Sequence, residues 1–195
     1  MRMRRTILTL LLAGTVMTTL SLPGQSARTS SQEVDVALTY GALRNDLVGG
    51  SSFWQQGGSL ELSAEAYHGL GVAMSISGAR VSNIQGRGVN LTTITDVFGP
   101  RYTWTTRRKK IALFGQGLIG EAHGIDSVFP SPQGTTTSFN SFALQVGSGV
   151  DLRLSRHFAI RPFQADWVRT QFPNASTNVQ NDFRLGAGVV FRLQR

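Results

Sequence analysis

From Glu33 to Leu193 the chain keeps returning to strict alternation of apolar and polar residues, and a period of two is the pattern of a half-buried β-strand. Val34, Val36, Leu38 and Tyr40 share one face, with Glu33, Asp35, Ala37 and Thr39 on the other. Leu60, Leu62, Ala64 and Ala66 stand against Ser59, Glu61, Ser63 and Glu65, and Val72, Met74 and Ile76 against Ala73, Ser75 and Ser77. The last segment repeats the pattern, with Phe183, Leu185, Ala187, Val189, Phe191 and Leu193 opposite Asp182, Arg184, Gly186, Gly188, Val190 and Arg192.

Four more strands are less pure. Thr92–Thr105 places Ile94, Phe98, Tyr102 and Trp104 on one face, with Asp96 breaking it. Ile111–Ala122 is Gly-rich, with Ile111, Leu113 and Ile119 in phase. Phe142, Leu144, Val146, Val150 and Leu152 face away from Ala143, Gln145, Gly147, Gly149, Asp151 and Arg153. Phe158–Phe172 contains Pro162, which cannot donate to a ladder and so marks a bulge or an edge. A one-residue slip there turns Arg161, Gln164 and Asp166 to one face and Phe163 and Trp167 to the other. The total is eight strands of roughly ten residues, the length a tilted strand needs to cross a bilayer.

The connections alternate in length. Leu43–Gly57, Val81–Leu91, His123–Asn140 and Pro173–Asn181 are long, whereas His68–Leu70, Thr106–Lys109 and Ser155–His157 are short. Long loops at one end and tight turns at the other are the signature of an outer-membrane barrel. In hydrocarbon each unpaired backbone N–H or C=O costs several kcal/mol, so spanning strands must close without an edge. The predicted fold is therefore all-β, an eight-stranded antiparallel up-and-down transmembrane β-barrel over residues 28–195. Tyr40, Phe98, Tyr102, Trp104, Trp167 and Phe191 are expected in aromatic girdles near the strand ends.

Residues 1–27 read as a secretory signal peptide: the basic Met1–Arg5, a short apolar run from Ile7 to Val16, then small residues with cleavage after Ser26 or Ala27. The apolar run is shorter than the ~20 residues of a spanning helix. The formal charge of +8 includes Arg2, Arg4 and Arg5, and falls to +5 without them. The one basic cluster, Arg107–Lys110, reads as a solvated turn, so no nucleic-acid partner is expected. There is no cysteine, so stability must come from burial and hydrogen bonding.

Glu61, Glu65, Asp151, Arg153, Arg161, Asp166, Arg184 and Arg192 all fall on inward faces. An eight-stranded barrel is just wide enough for its own side chains to fill, and buried charges must pair. A salt-bridged plug is expected in place of an open pore. Gly115-Gln116-Gly117-Leu118-Ile119-Gly120 matches a dinucleotide fingerprint, but no helix pattern follows. Its glycines instead read as giving room to interior neighbours. His68, His123 and His157 lie at turns or loop starts without a second ligand at metal spacing. No catalytic, cofactor-binding or metal residue is assigned, and no cofactor is expected. A Ser/His/Asp site built from separate loops stays open as an alternative.

Val97-Phe98-Gly99-Pro100-Arg101-Tyr102, Gly147-Ser148-Gly149-Val150-Asp151, Ile160-Arg161-Pro162-Phe163-Gln164-Ala165-Asp166-Trp167 and Phe183–Phe191 come in an order and spacing that resembles the small outer-membrane β-barrel family, similar to the OmpA barrel and OmpX. The likeness runs from about Glu33 to Leu193 as a single barrel without a peptidoglycan-binding module. It implies a non-enzymatic protein of the cell outer membrane in contact with lipopolysaccharide or phospholipid. Envelope support or loop presentation to a partner that the sequence does not identify would be its role. The barrel-insertion machinery would be a partner during assembly, reading Phe191 and Leu193 in the place of the family's outward aromatic terminus. A lipid-modifying barrel enzyme of the lipid A deacylase type and a soluble lipocalin-like carrier are the alternatives.

Overall fold

The computed structural model describes residues 33–46, 52–84, 90–108, 110–131, 134–173 and 178–194. The segment assigned as signal peptide lies outside the described residues, and so does Lys109 of the basic turn. Eight strands follow one another: β1 (Glu33–Asp46), β2 (Ser52–Tyr67), β3 (Leu70–Val81), β4 (Leu91–Thr105), β5 (Ile111–Ser131), β6 (Gly134–Arg153), β7 (Phe158–Thr170) and β8 (Gln180–Gln194). Each pairs antiparallel with its sequence neighbours, and β8 pairs with β1 to close the barrel.

The stagger of the closed ladder can be followed residue by residue. Glu65 pairs with Gly71, then Arg101, Gln116, Gly147, Asp166, Arg184 and Leu43 in turn, and Leu43 pairs with Gln55. One circuit therefore returns to β2 ten residues from its start. Closure with such a stagger tilts the strands by roughly 35–45°. Every residue on that circuit points to the lumen side, so one ladder row carries much of the interior chemistry.

The faces sort as alternation predicts. Leu38, Leu60, Leu62, Val72, Met74, Ile76, Phe163 and Leu193 are exposed on the outer wall, whereas Glu61, Arg101, Asp151, Arg161 and Asp166 are buried. This reverses the arrangement of a lipocalin-like carrier, which would be polar outside and apolar within. On β8 the outward residues are apolar from Phe183 to Leu193, ten residue steps, which at about 3.3 Å per residue and that tilt gives a band roughly 25 Å tall. That is the height of the apolar belt of outer-membrane barrels, about 25 Å.

Pro162 sits in a register shift between Arg161 and Gln164, and the predicted slip holds: Arg161, Gln164 and Asp166 are buried while Phe163 faces out. Three expectations need correction. The strands run from 12 to 21 residues, longer than predicted, because two of the long connections are mostly strand. Residues 43–46 and 52–57 continue β1 and β2, and residues 123–131 and 134–140 continue β5 and β6 into a ribbon whose last described pair is Ser131 with Gly134. Polar and Thr-rich composition hid these extensions, since above a membrane both faces can be polar and alternation disappears. The aromatics are only partly in girdles, for Tyr40 and Phe98 lie mid-strand. In the glycine-rich stretch of β5, Gly115 and Gly117 have open space at the Cβ position, and only Gly120 meets a neighbouring strand closely.

The β1–β8 seam depends on a close approach. A Cβ on Gly188 would come within 1.9 Å of the Leu38 carbonyl oxygen and 2.7 Å of the Thr39 Cα. Gly188→Ala is therefore expected to lower the fraction of compact, fast-migrating species on unheated SDS gels. Gly117→Ala, which meets nothing within 4 Å, is expected to leave that fraction unchanged.

Candidate functional site

Glu61 of β2 stands at the centre of the lumen. One Nη of Arg101 on β4 donates to its Oε1, Nη1 of Arg161 on β7 donates to the same oxygen at 2.8 Å, and Nε2 of Gln116 on β5 donates to Oε2 at 2.8 Å. Arg161 also grips Asp151 of β6 with two parallel bonds, Nε to Oδ1 at 2.7 Å and Nη2 to Oδ2 at 3.1 Å. Its Nη1 further donates to Gln164 Oε1 at 2.9 Å. Bidentate, charge-assisted pairs of this kind are the strongest that side chains make. The guanidinium groups of Arg101 and Arg161 lie over the Phe114 ring, 3.7 and 4.3 Å from its centroid. The ring fits because β6 has Gly149 there, where a Cβ would approach within 2.6 Å of it.

A second tier lies one step toward the loop end. Asp166 accepts from Gln145 Nε2 at 3.0 Å, Gln164 Nε2 at 2.9 Å and Arg184 Nε at 3.0 Å. Toward the turn end, Arg192 donates to Asp35 at 3.2 Å and to Glu33. The two inner tiers set three carboxylates (Glu61, Asp151, Asp166) against three guanidiniums (Arg101, Arg161, Arg184), and the buried Asp182 adds a further carboxylate beside the upper tier. Arg161 and Glu61 are each only 1% exposed, so their side chains fill the middle of the lumen. Above the plug, between Thr170, Asp166, Arg184 and Ser59, there is room of about 30 Å³ for water, enough for one or two molecules. Thr170 Oγ1 is buried beside this space without a protein partner.

The expected inward charges thus converge, with two exceptions. Glu65 is exposed at the turn-side mouth, where it accepts from the Gly69 backbone N–H at 2.8 Å and braces the turn. Arg153 is only partly buried and donates to Thr105 Oγ1 at 3.4 Å. Sequence reasoning missed Arg101 as the second clamp on Glu61. Its signal was available, since Arg101 alternates out of phase with the outward Phe98, Pro100, Tyr102 and Trp104. The inward glutamines Gln116, Gln145 and Gln164 were visible in the same way.

Among the described residues the three histidines stand apart, His68 and His157 at turns and His123 on β5. The Tyr67 ring meets His68 edge-on, and the His157 backbone N–H donates to Ser155 Oγ. His123 faces the outer wall between Asp96, 3.1 Å from Nε2, and Asn140, 3.0 Å from Nδ1, with Glu121 at 3.9 Å. No hydroxyl nucleophile is among the partners of that ring, and among the described residues no group of three or more His, Asp or Glu side chains is placed to hold a metal.

No protein-family profile matches the chain, and no curated protein matches it in sequence. Solved structures do. Neisserial surface protein A superposes with a TM-score of 0.63 at 12% identity, over 83% of this chain and 97% of that one. Ail, the attachment invasion locus protein of Yersinia pestis, solved in complex with the heparin analogue sucrose octasulfate, superposes with a TM-score of 0.54 at 21% identity, over 84% of this chain and 99% of that one. Both are small eight-stranded outer-membrane barrels. The chain has the fold of the small outer-membrane β-barrels. Within such a barrel the side-chain plug is the feature that separates a filled cylinder from a channel.

Removing Glu61 would leave Arg101 and Arg161 partly unpaired in a dry lumen. Breaking a buried pair in this way costs about 3–5 kcal/mol. Glu61→Ala is accordingly expected to move the urea midpoint of the folded barrel in detergent well below that of the parent. Glu65→Ala, at the solvated mouth, is expected to shift it little.

Proposed function

We propose that this chain is a non-enzymatic integral protein of a bacterial outer membrane, a plugged barrel that anchors and presents the β5–β6 ribbon and its neighbouring loops outside the cell. The observation that carries this reading is the apolar band around a lumen closed by paired charges. Such a wall needs acyl chains around it, and such a lumen conducts nothing large. Lipopolysaccharide or phospholipid is then the immediate partner. Arg44, Arg80 and Arg169 face outward just above the apolar residues, the level of lipid phosphates, where basic side chains are favoured. Residues 1–27 act in this reading as the export signal, and the β-barrel insertion machinery places the chain in the membrane. That a barrel of the same fold, Ail, was solved with a heparin analogue supports a binding role over a purely mechanical one.

The absence of cysteine makes the topology directly testable. A single cysteine at Thr135 on the ribbon is expected to react with a membrane-impermeant maleimide on intact cells. One at Arg156 in a short turn is expected to react only after the outer membrane is permeabilised. Equal labelling of both on intact cells, or recovery of the protein in the soluble fraction, would sink the proposal. In planar bilayers the purified barrel is expected to give no stable large conductance steps.

A further inference from the structure

One stretch of the outer wall breaks the rule that the rest obeys. Asp96 of β4 and Glu121 of β5 are directly opposed in the ladder and both face outward. Asp96 lies between Ile94 and Phe98 on its strand, and Glu121 follows the exposed Ile119. Like charges in directly opposed positions destabilise a sheet, and a carboxylate at the edge of hydrocarbon is costly unless it has a task there. His123 relieves Asp96 through one oxygen, at 3.1 Å, but stands 3.9 Å from Glu121. Because ionised Asp96 can only accept, that histidine hydrogen is spent on it.

Around the two acids the wall is hollowed. Met74, Phe98, Ile119 and Phe142 line, with Asp96, Glu121 and Asn140, an open depression of about 710 Å³ in the outer wall; Phe98 and Ile119 lie on the turn side of the acids, Phe142 opposite Glu121 and Asn140 on the loop side. Its turn-side lining, Met74, Phe98 and Ile119, is apolar and its loop-side lining, Glu121 and Asn140 with Asp96, is polar, the order in which a lipid places chain and headgroup. The charge at that end is the opposite of the remaining rim, where Arg44, Arg80 and Arg169 suit phosphate.

We infer that this depression seats one lipid whose headgroup carries a primary ammonium, with the amine between Asp96 and Glu121 and an acyl chain against Met74, Phe98 and Ile119. This rests on the reading that the wall faces lipid. An ammonium offers three N–H donors to carboxylate oxygens that cross-strand repulsion leaves short of positive charge. A choline headgroup carries the same charge with no N–H to donate, and a glycerol headgroup carries no positive charge. Selectivity for the amine is therefore the specific consequence.

The test is native mass spectrometry of the full folded chain in detergent with EDTA, offered equal amounts of phosphatidylethanolamine, phosphatidylcholine and phosphatidylglycerol with the same acyl chains. One phosphatidylethanolamine is expected to be retained, with about a tenfold preference over the other two, the size of one charge-assisted hydrogen bond. The double variant D96N/E121Q is expected to abolish the preference, and R80Q to leave it intact, each checked for folding on unheated gels. Met74→Trp, which fills the depression without touching its charge, is expected to weaken retention of all three lipids at this site. Equal retention of the three lipids, a preference that survives the double variant, or one that appears only with added magnesium would overturn the inference while leaving the membrane assignment standing. Failure to retain any lipid would count against both.

Discussion

The structure depends on one constraint: in hydrocarbon no backbone N–H or C=O can be left without a partner. For strands, that demand is met only by closing the sheet, and closing it with eight strands and a ten-residue stagger fixes a narrow lumen. The β1–β8 seam is where the demand becomes local. Thr39 and Gly188 pair there at a distance that admits no Cβ on one side. The outer alternation and the inner charges are consequences of the closed ladder, because each residue has only two places to point.

Once the lumen is set, its contents follow from volume and charge together. An apolar filling would have removed the polar half of the alternation that distinguishes inside from outside and so keeps the register. Charged filling preserves that distinction but must be neutral and fully hydrogen-bonded to be tolerable. Three guanidiniums against three carboxylates, with Gln116, Gln145 and Gln164 bonded to the carboxylates or to Arg161, meet most of that demand at the centre, and toward the loop end an apolar cluster of Leu118, Ala122, Phe129, Ala143 and Phe172 takes over. Phe114 completes the packing by offering its ring faces to Arg101 and Arg161, an arrangement that is favourable where water is excluded. The plug ties β2, β4, β5, β6, β7 and β8 across the lumen, so it braces the cylinder as well as blocking it.

Much of this was legible in the sequence because alternation reports facing directly. Strand number, closure and most inward charges were readable from it, and even the slip at Pro162 followed from a proline that cannot donate. What was not legible lies where the two faces cease to differ. The extensions of β1, β2, β5 and β6 beyond the apolar band have polar residues on both sides, so Leu43–Gly57 and His123–Asn140 read as loops. Arg101 was missed because its strand was judged by its aromatics and its Asp96, and the inward residues between them went unweighed. The convergence of Glu61 with Arg161, a hundred residues apart in sequence, is a product of the stagger and could not be read from either strand alone.

Asp96 illustrates how a misfit in a pattern should be read in this fold. On the sequence it weakened the case for a strand, since a carboxylate does not belong on a lipid-facing row. The strand is nevertheless there, and Asp96 does face outward, opposite Glu121 and beside His123. The central inner acids are explained by their partners, Glu61 by Arg101 and Arg161, Asp151 by Arg161 and Asp166 by Arg184. The outer acids are only half explained, because His123 engages Asp96 and leaves Glu121 beyond hydrogen-bond reach. The outer wall here retains two opposed carboxylates within an open depression lined by Met74, Phe98, Ile119 and Phe142. Among the described residues only His123 comes within ion-pair distance of either acid, and the amine of a lipid headgroup is the counter-charge we infer.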